Sequence, residues 1–298
     1  HETFFLEGLK SLGYQAGEDI LIDRIYAEGV KEHAEDELRK ILSQYRPDVV
    51  VTFATLASQA AHEVLAETDI PIVFCVVADP VSAGLIEEVG KPTGTNVTGL
   101  VFSLLRQSKI DLAKRLLVQP FPDRPVRVGV VHSSYPSATG DLEKMNALAR
   151  QDGLIEFIPH QYPYQPFPEE KDAMLRDAAQ GMEALSSQVD FWWVVPGPLG
   201  ETEEFATLLL SSGVPVGLCH TMDCVKRGGL FAVNTHYRDS GLQVARMVES
   251  ILNGTAAGDI PPIPPGSFEL GVNLSTAIDL NIVVPSDLFE LAGENVFR

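Results

Sequence analysis

Ile70-Pro-Ile-Val-Phe-Cys-Val-Val-Ala-Asp-Pro80 is an apolar run that breaks abruptly at Ala78-Asp79-Pro80. An uninterrupted apolar stretch of this kind reads as a strand covered on both faces, as in a parallel sheet. Pro80 removes a backbone donor and disfavours helical geometry at Asp79, so the chain turns there. Open parallel sheets bind ligands beyond the carboxyl ends of their strands, which places Asp79 where such a fold does its work. Thr93 to Gly99 (Thr-Gly-Thr-Asn-Val-Thr-Gly) supplies a second turn-rich segment close to a strand.

Outward from this run, helix-like and strand-like periodicities alternate. Phe4 to Leu12 is amphipathic and ends at Gly13, Ile20 to Ile25 alternates as a strand does, and Glu32 to Ser43 is a charged helix. Asp48 to Phe53 reads as a buried strand, Leu56 to Ala66 as a helix, and Ser103 to Val118 as a helix with Leu105, Ile110, Ala113 and Leu117 near one face. After a break at Pro120, Pro122 and Pro125 the pattern restarts, with strands at Val126–Val131, Ile155–Tyr162, Phe191–Val195 and Val214–Leu218. Helices are expected between them at Pro136–Arg150, Asp172–Leu185 and Glu201–Leu210.

Strands alternating with helices imply parallel sheets covered on both faces. Roughly ten strands would strain one open twisted sheet, so two doubly wound lobes are expected. The C-terminal third adds a strand at Gly229–Asn234, a helix at Asp239–Leu252, a stiff crossover through Pro261, Pro262, Pro264 and Pro265, and a strand at Phe268–Leu274 followed by a short helix, Ser275–Leu280. This tail is expected to pass between the lobes and complete each sheet in turn. The expected division is 1–119 plus 232–262 for the first lobe and 120–231 plus 263–298 for the second. A doubly wound lobe starts with a strand whereas this chain starts at a helix, so a first strand is expected to be missing from it.

The 298 residues are 45% hydrophobic and 21% charged, an ordinary balance for a folded globular protein. A net charge of -19 repels phosphate backbones and anionic lipid, which argues against nucleic-acid binding. No apolar run is long enough to cross a bilayer, and no signal peptide is visible at His1. The three cysteines make no disulfide framework.

Catalytic signatures are missing from the sequence. Gly94 to Gly99 has glycine spacing but no following Lys-Ser/Thr, and neither a Gly-x-Ser-x-Gly elbow nor His-Glu-x-x-His occurs. Cys219-His220-Thr-Met-Asp223-Cys224 reads as a strand-end Cys, a loop His and a half-buried Cys rather than a metal site, because structural zinc sites draw on two separated ligand pairs. A Cys219–Cys224 disulfide is compatible with an oxidising compartment, and geometry decides it. Trp192 and Trp193 fall in a strand, where core packing is their expected role. No cofactor and no metal is expected.

Small polar residues accumulate instead at strand ends. Thr55 and Ser58 stand at a helix start that suits a carboxylate, and Asp79 suits an ammonium group. Ser133, Ser134 and Ser137 follow the Val126–Val131 strand, and Thr221 and Asp223 follow Val214–Leu218. Capping and turn formation account for any one of them. Their recurrence in both halves points to a cleft between lobes.

Leu6-Glu-Gly-Leu-Lys-Ser-Leu-Gly-Tyr14, Arg46-Pro-Asp-Val-Val-Val51 and Ala54-Thr-Leu-Ala-Ser-Gln-Ala60 carry a resemblance. It continues through Ala78-Asp-Pro-Val-Ser-Ala-Gly-Leu85, Gly94-Thr-Asn-Val-Thr-Gly99, Gly228-Gly-Leu230 and Phe268-Glu-Leu-Gly-Val-Asn-Leu274. In order and spacing these segments resemble bacterial ABC transporter substrate-binding proteins of the tryptophan/tyrosine type. The resemblance implies the type I periplasmic-binding-protein fold: two α/β lobes, a hinge of three crossings, and a ligand trapped between the lobes. It implies that Thr55, Ala57, Ser58, Asp79 and the Ser133–Ser137 loop face that cleft, and Asp223 matches an often acidic position. Pro196-Gly-Pro198-Leu-Gly200 departs from the polar residues of many relatives, which bears on ligand identity.

The function this implies is a non-enzymatic, periplasmic or otherwise extracytoplasmic solute-binding protein, with a lipid anchor as one form of attachment. It would act as a monomer, close on an aromatic or other apolar amino acid, and deliver it to an ABC permease and ATPase. The sensory domain of a membrane receptor and an α/β enzyme with its site in the cleft are the alternatives.

Overall fold

The computed structural model describes residues 1–102 and 106–298, so the helix start expected at Ser103 lies outside the described residues. In chain order the elements begin α1 (Glu2–Ser11), α2 (Lys31–Leu42), β1 (Val50–Phe53), α3 (Thr55–Val64), β2 (Ile72–Val77), β3 (Val97–Val101) and α4 (Arg106–Leu117). They continue β4 (Val126–Ser133), α5 (Pro136–Ala149), β5 (Ile155–Tyr162), α6 (Lys171–Leu185), β6 (Phe191–Trp193), α7 (Glu203–Leu210) and β7 (Val216–Cys219). The last are α8 (Met222–Lys226), β8 (Phe231–Thr235), α9 (Tyr237–Leu252), β9 (Phe268–Asn273), α10 (Leu274–Asp279), α11 (Ser286–Ala292) and β10 (Val296–Phe297).

The chain divides into two compact units, one of His1–Ser103, Pro166–Pro168 and Thr235–Ser267, the other of Leu104–Gln165, Glu169–Asn234 and Phe268–Arg298. This moves the first expected boundary from 119 back to 103. The reason is packing: Ile110, Ala113, Leu116 and Leu117 of α4 are fully buried in one core with Val126 and Val128 of β4 and Met145 of α5. The Pro-rich break after α4 is a turn inside the second unit.

In the first unit β1, β2 and β3 form a parallel sheet in that order. Val73 and Cys75 of β2 pack with Phe5 and Leu9 of α1 and Val244 and Val248 of α9, while Ile72 and Phe74 pack with Leu38 of α2 and Ala61 of α3. Burial on both faces explains the continuous apolar run. Helices α1 and α9 approach closely at Gly8, where a Cβ would lie 2.9 Å from Ala245 Cβ and 3.0 Å from the Gly241 carbonyl.

Ile20–Ile25 forms no strand. One bridge joins Ala16 to Ile20, and Leu21 is 93% exposed. Side-chain alternation suits a strand, but a strand needs a ladder partner for its backbone. Among the described residues β1 pairs only with β2.

In the second unit seven strands run in the order β10-β9-β8-β7-β6-β4-β5. Every residue register recorded between its neighbouring strands is parallel. Both β8 and β9 join this sheet, so the tail does not complete each sheet in turn; the first unit receives an isolated Leu100–Ile263 bridge. Trp192 and Trp193 are both core residues at 1% and 2% exposure, the former donating from Nε1 to Ser212 Oγ at 2.8 Å. Alternating strands and helices in two parallel sheets give the expected α/β fold.

Candidate functional site at the strand ends

Strand order reverses in the second unit. From β4 the chain goes outward to β5, then returns to the opposite side of β4 as β6. Loops leaving β4 and β6 therefore diverge, and a crevice opens beyond their carboxyl ends. A cavity lies there, walled by Val131, Ala138, Leu199, Phe205 and the Val195–Gly200 turn, with His132, Ser133 and Tyr162 as its polar lining. Ser133 and Pro198, both expected at the site, are thus brought together.

His132 and Tyr162 escape the sequence reading because they fall in the last two positions of strands, Val126–Ser133 and Ile155–Tyr162. The available signal was a polar residue at the last positions of a buried strand. Each is only 5% exposed. His132 Nδ1 lies 2.9 Å from the Ser133 carbonyl, which can only accept, so Nδ1 carries the proton and Nε2 is a bare acceptor. Burial lowers the His132 pKa and nearby His160 lowers it further, against the opposing carbonyl bond, so the ring is neutral. Burial, with Asp177 adding to it, raises the Tyr162 pKa, so its hydroxyl keeps its proton.

The three expected serines chiefly shape the loops. Ser133 Oγ accepts from Tyr135 N at 3.4 Å, exposed Ser134 Oγ accepts from Tyr164 N at 2.9 Å, and Ser137 Oγ donates to the Pro196 carbonyl at 3.5 Å. Tyr135 and Tyr164 then meet edge to face at 5.0 Å. At the end of β7, Thr221 caps α8 by accepting from Cys224 N at 3.2 Å, and exposed Asp223 lies 3.5 Å from Arg227, which caps the far end of the same helix. Both are engaged locally, as is usual for residues opening a helix. Cys219 and Cys224 form a disulfide with Cα atoms 5.8 Å apart, and Cys224 is 2% exposed rather than half-buried. No group of three or more metal-ligating residues occurs among the described residues.

In the first unit the carboxyl ends of β1 and β2 are joined by Ala54 N donating to the Cys75 carbonyl at 3.1 Å. Both ends hold unusual backbone: Ala54 has φ 90° and β-branched Val76 has φ 57°. Left-handed geometry costs such residues energy, and strain of this kind collects at functional positions. Thr55 is buried and Ala57 half-buried in the first turn of α3, whose N-cap residue, Ala54, supplies no side-chain cap. Ser58 is engaged elsewhere, since its hydroxyl pairs with Thr52 Oγ1 at 2.8 Å and donates to the Ala54 carbonyl at 2.9 Å, fastening α3 to β1. Asp79, 5% exposed, accepts from Ser82 N at 3.1 Å and closes the turn after β2. One carboxylate oxygen thus serves the turn that Pro80 enforces.

A family model described as ABC transporter substrate binding protein matches residues 3–296. A tyrosine-binding protein of Clostridioides difficile (strain R20291) is 24% identical over 98% of this chain and 78% of its own length. A crystal structure of a conserved domain protein from Vibrio cholerae is similar at a TM-score of 0.80, with 24% identity over 99% of this chain and 93% of that one. An ABC domain from Streptococcus pneumoniae, in complex with L-Trp, is similar at 0.79, with 24% identity and the same coverage. The chain therefore belongs to the ABC transporter substrate-binding protein family, whose members take up a small solute outside the cytoplasm for an ABC transporter.

Proposed function

We propose that this protein binds an aromatic amino acid, without transforming it, and hands it to an ABC permease and its ATPase. The observation that carries this reading is the cavity at the strand-order reversal of the second unit. It offers apolar walls from Val131, Leu199 and Phe205 and polar atoms from His132, Ser133 and Tyr162. Ligand sites combine apolar walls with a few placed polar groups, and both kinds line this strand-end crevice. Support comes also from relatives named for tyrosine binding and solved with L-Trp. At the strand ends of the first unit, the α3 start at Thr55 and Ala57 suits a carboxylate and Asp79 an ammonium group.

Isothermal titration with the common amino acids tests the reading. Saturable one-to-one binding of at least one aromatic member is expected, weakened at least tenfold by Asp79→Asn. Failure of every aromatic and branched amino acid to bind removes the ligand assignment. Recovery of the ligand unchanged after incubation supports binding without catalysis, whereas product formation overturns it.

A further inference from the structure

The Cys219–Cys224 bridge joins residues only five positions apart, at the carboxyl end of β7. A cross-link closing so short a loop removes little freedom from the unfolded chain, so its main effect is on the shape of the turn itself. Thr221 caps α8 and Asn234 Nδ2 donates to the His220 carbonyl, which leaves the bridge as the tie on this turn that chemistry can cut. Between the two cysteines stands His220, whose Nε2 lies 3.6 Å from Glu201 Oε1. Glu201 directly follows the Val195–Gly200 turn, which walls the cavity beyond β4 and β6. The covalent tie at β7 therefore reaches the cavity wall through one side-chain contact. Cys219 is 1% and Cys224 2% exposed, so a reductant reaches the sulfurs when the turn opens.

We infer that this bridge is a redox switch on ligand affinity: closed, it holds His220 against Glu201 and fixes the cavity wall; reduced, it releases both and weakens binding. A dithiol drives the step. One of its sulfurs, as thiolate, attacks a bridge sulfur, the S–S bond breaks, and the other cysteine leaves as thiolate and takes up a proton. The second sulfur of the reductant then displaces the first cysteine. Two electrons and two protons end on Cys219 and Cys224, and the dithiol becomes a disulfide. Cys75 takes no part, since burial pushes its thiol up to about 12. By linkage, a ligand that prefers the bridged form opposes reduction by the same factor that reduction costs its affinity. This inference rests on the proposed aromatic amino acid ligand and adds a control to its site.

The test is titration calorimetry of the whole chain with L-tyrosine, L-phenylalanine and L-tryptophan, oxidised and after native-state reduction by dithiothreitol. Wild type, Glu201→Gln and the bridgeless Cys219→Ala/Cys224→Ala are compared, with iodoacetamide mass shifts counting free thiols. Reduction of wild type is expected to free two thiols and weaken binding at least tenfold, while the melting temperature falls by no more than about 8 °C. Saturating ligand is expected to raise the dithiol-to-disulfide ratio needed for half reduction by about tenfold. Glu201→Gln is expected to bind weakly in both states, with an oxidised-to-reduced ratio below about threefold, and the bridgeless variant to match reduced wild type. Affinity within about threefold between the two states overturns the switch while leaving the ligand standing. So does a bridge that dithiothreitol never opens in the folded protein, or a reduction that unfolds the chain as it abolishes binding. A wild-type ratio retained in Glu201→Gln overturns the route through His220. Failure of the oxidised protein to bind any of the three overturns both readings together.

Discussion

In the second unit β4 has a strand on either side, whereas among the described residues of the first β1 pairs with β2 alone and Ile20–Ile25 has no more than the Ala16–Ile20 bridge. All three segments are rich in branched apolar residues, and all three read as strands. The difference is non-local. A pleated segment becomes a strand only when its N–H and C=O groups meet those of another, and burial follows from that pairing. Val126, Val128 and Val130 of β4 are fully buried; Val50, Val51 and Phe53 of β1 are half-buried. The strand-start ion pairs differ in the same way. Asp190 ties Arg127 N at 2.8 Å and both Arg124 Nη atoms at 2.7 and 2.8 Å beside the starts of β4 and β6. In the first unit, Arg46 and Asp69 make one exposed contact of 2.8 Å ahead of β1 and β2.

The strongest way to break the contrast is Gly129→Val in the middle of β4. A Cβ there would lie 2.4 Å from the Trp192 ring, so overpacking should cost about 2–3 kcal/mol in chemical denaturation. Val51→Ala on β1 should cost less than about 1 kcal/mol; equal costs would mean that the two sheets are equally tight.

Acid offers a second comparison. Burial would raise the Asp190 pKa, but Arg124 and Arg127 override it and hold the group at about 2. Because the unfolded carboxyl titrates near 4, this contribution is complete above about pH 4 and is lost as pH falls through about 2. The second unit should lose about 1–2 kcal/mol over that window, and Asp190→Asn should abolish the loss. A pH-denaturation series read at Trp192 and Trp193 checks this. The exposed Arg46–Asp69 pair should contribute no resolvable acid step, which Asp69→Asn would verify.

The smallest effect is expected at Leu21. Leu21→Ser should change stability by less than about 0.5 kcal/mol, since the side chain is 93% exposed. A larger loss in thermal melting would mean that Ile20–Ile25 packs as a strand in solution.

The contrast also explains what could be read from residues alone. Ile155–Tyr162 matches its expected limits because β4 supplies an eight-residue parallel partner from Val126 to Ser133. Ile20–Ile25 fails for lack of such a partner, which no local pattern reports. β3 was signalled only as a turn-rich segment, its Thr98 and Gly99 diluting the apolar run that β2 displays. At the candidate site, Ser133 is legible as a strand-end residue and Pro198 only through the family resemblance, whereas Ser58 is a fastener within the first unit. His132 and Tyr162 stayed hidden because a strand's last side chain looks like core until the neighbouring strand order is known. The switch point depends on three strands far apart in sequence.

The Cys219–Cys224 bridge restricts a position outside its own loop. A methyl group at Gly229 would sit 2.1 Å from Cys219 Sγ and 3.3 Å from Cys224 Sγ. The sulfur pair therefore occupies the volume a side chain would need at residue 229. An evolving lineage that discards both cysteines removes the 2.1 Å contact, and alanine there then has to accommodate the residue-224 carbonyl at 3.2 Å. A lineage that acquires the bridge must first hold glycine. The order in which these three substitutions can accumulate is thus fixed by one contact.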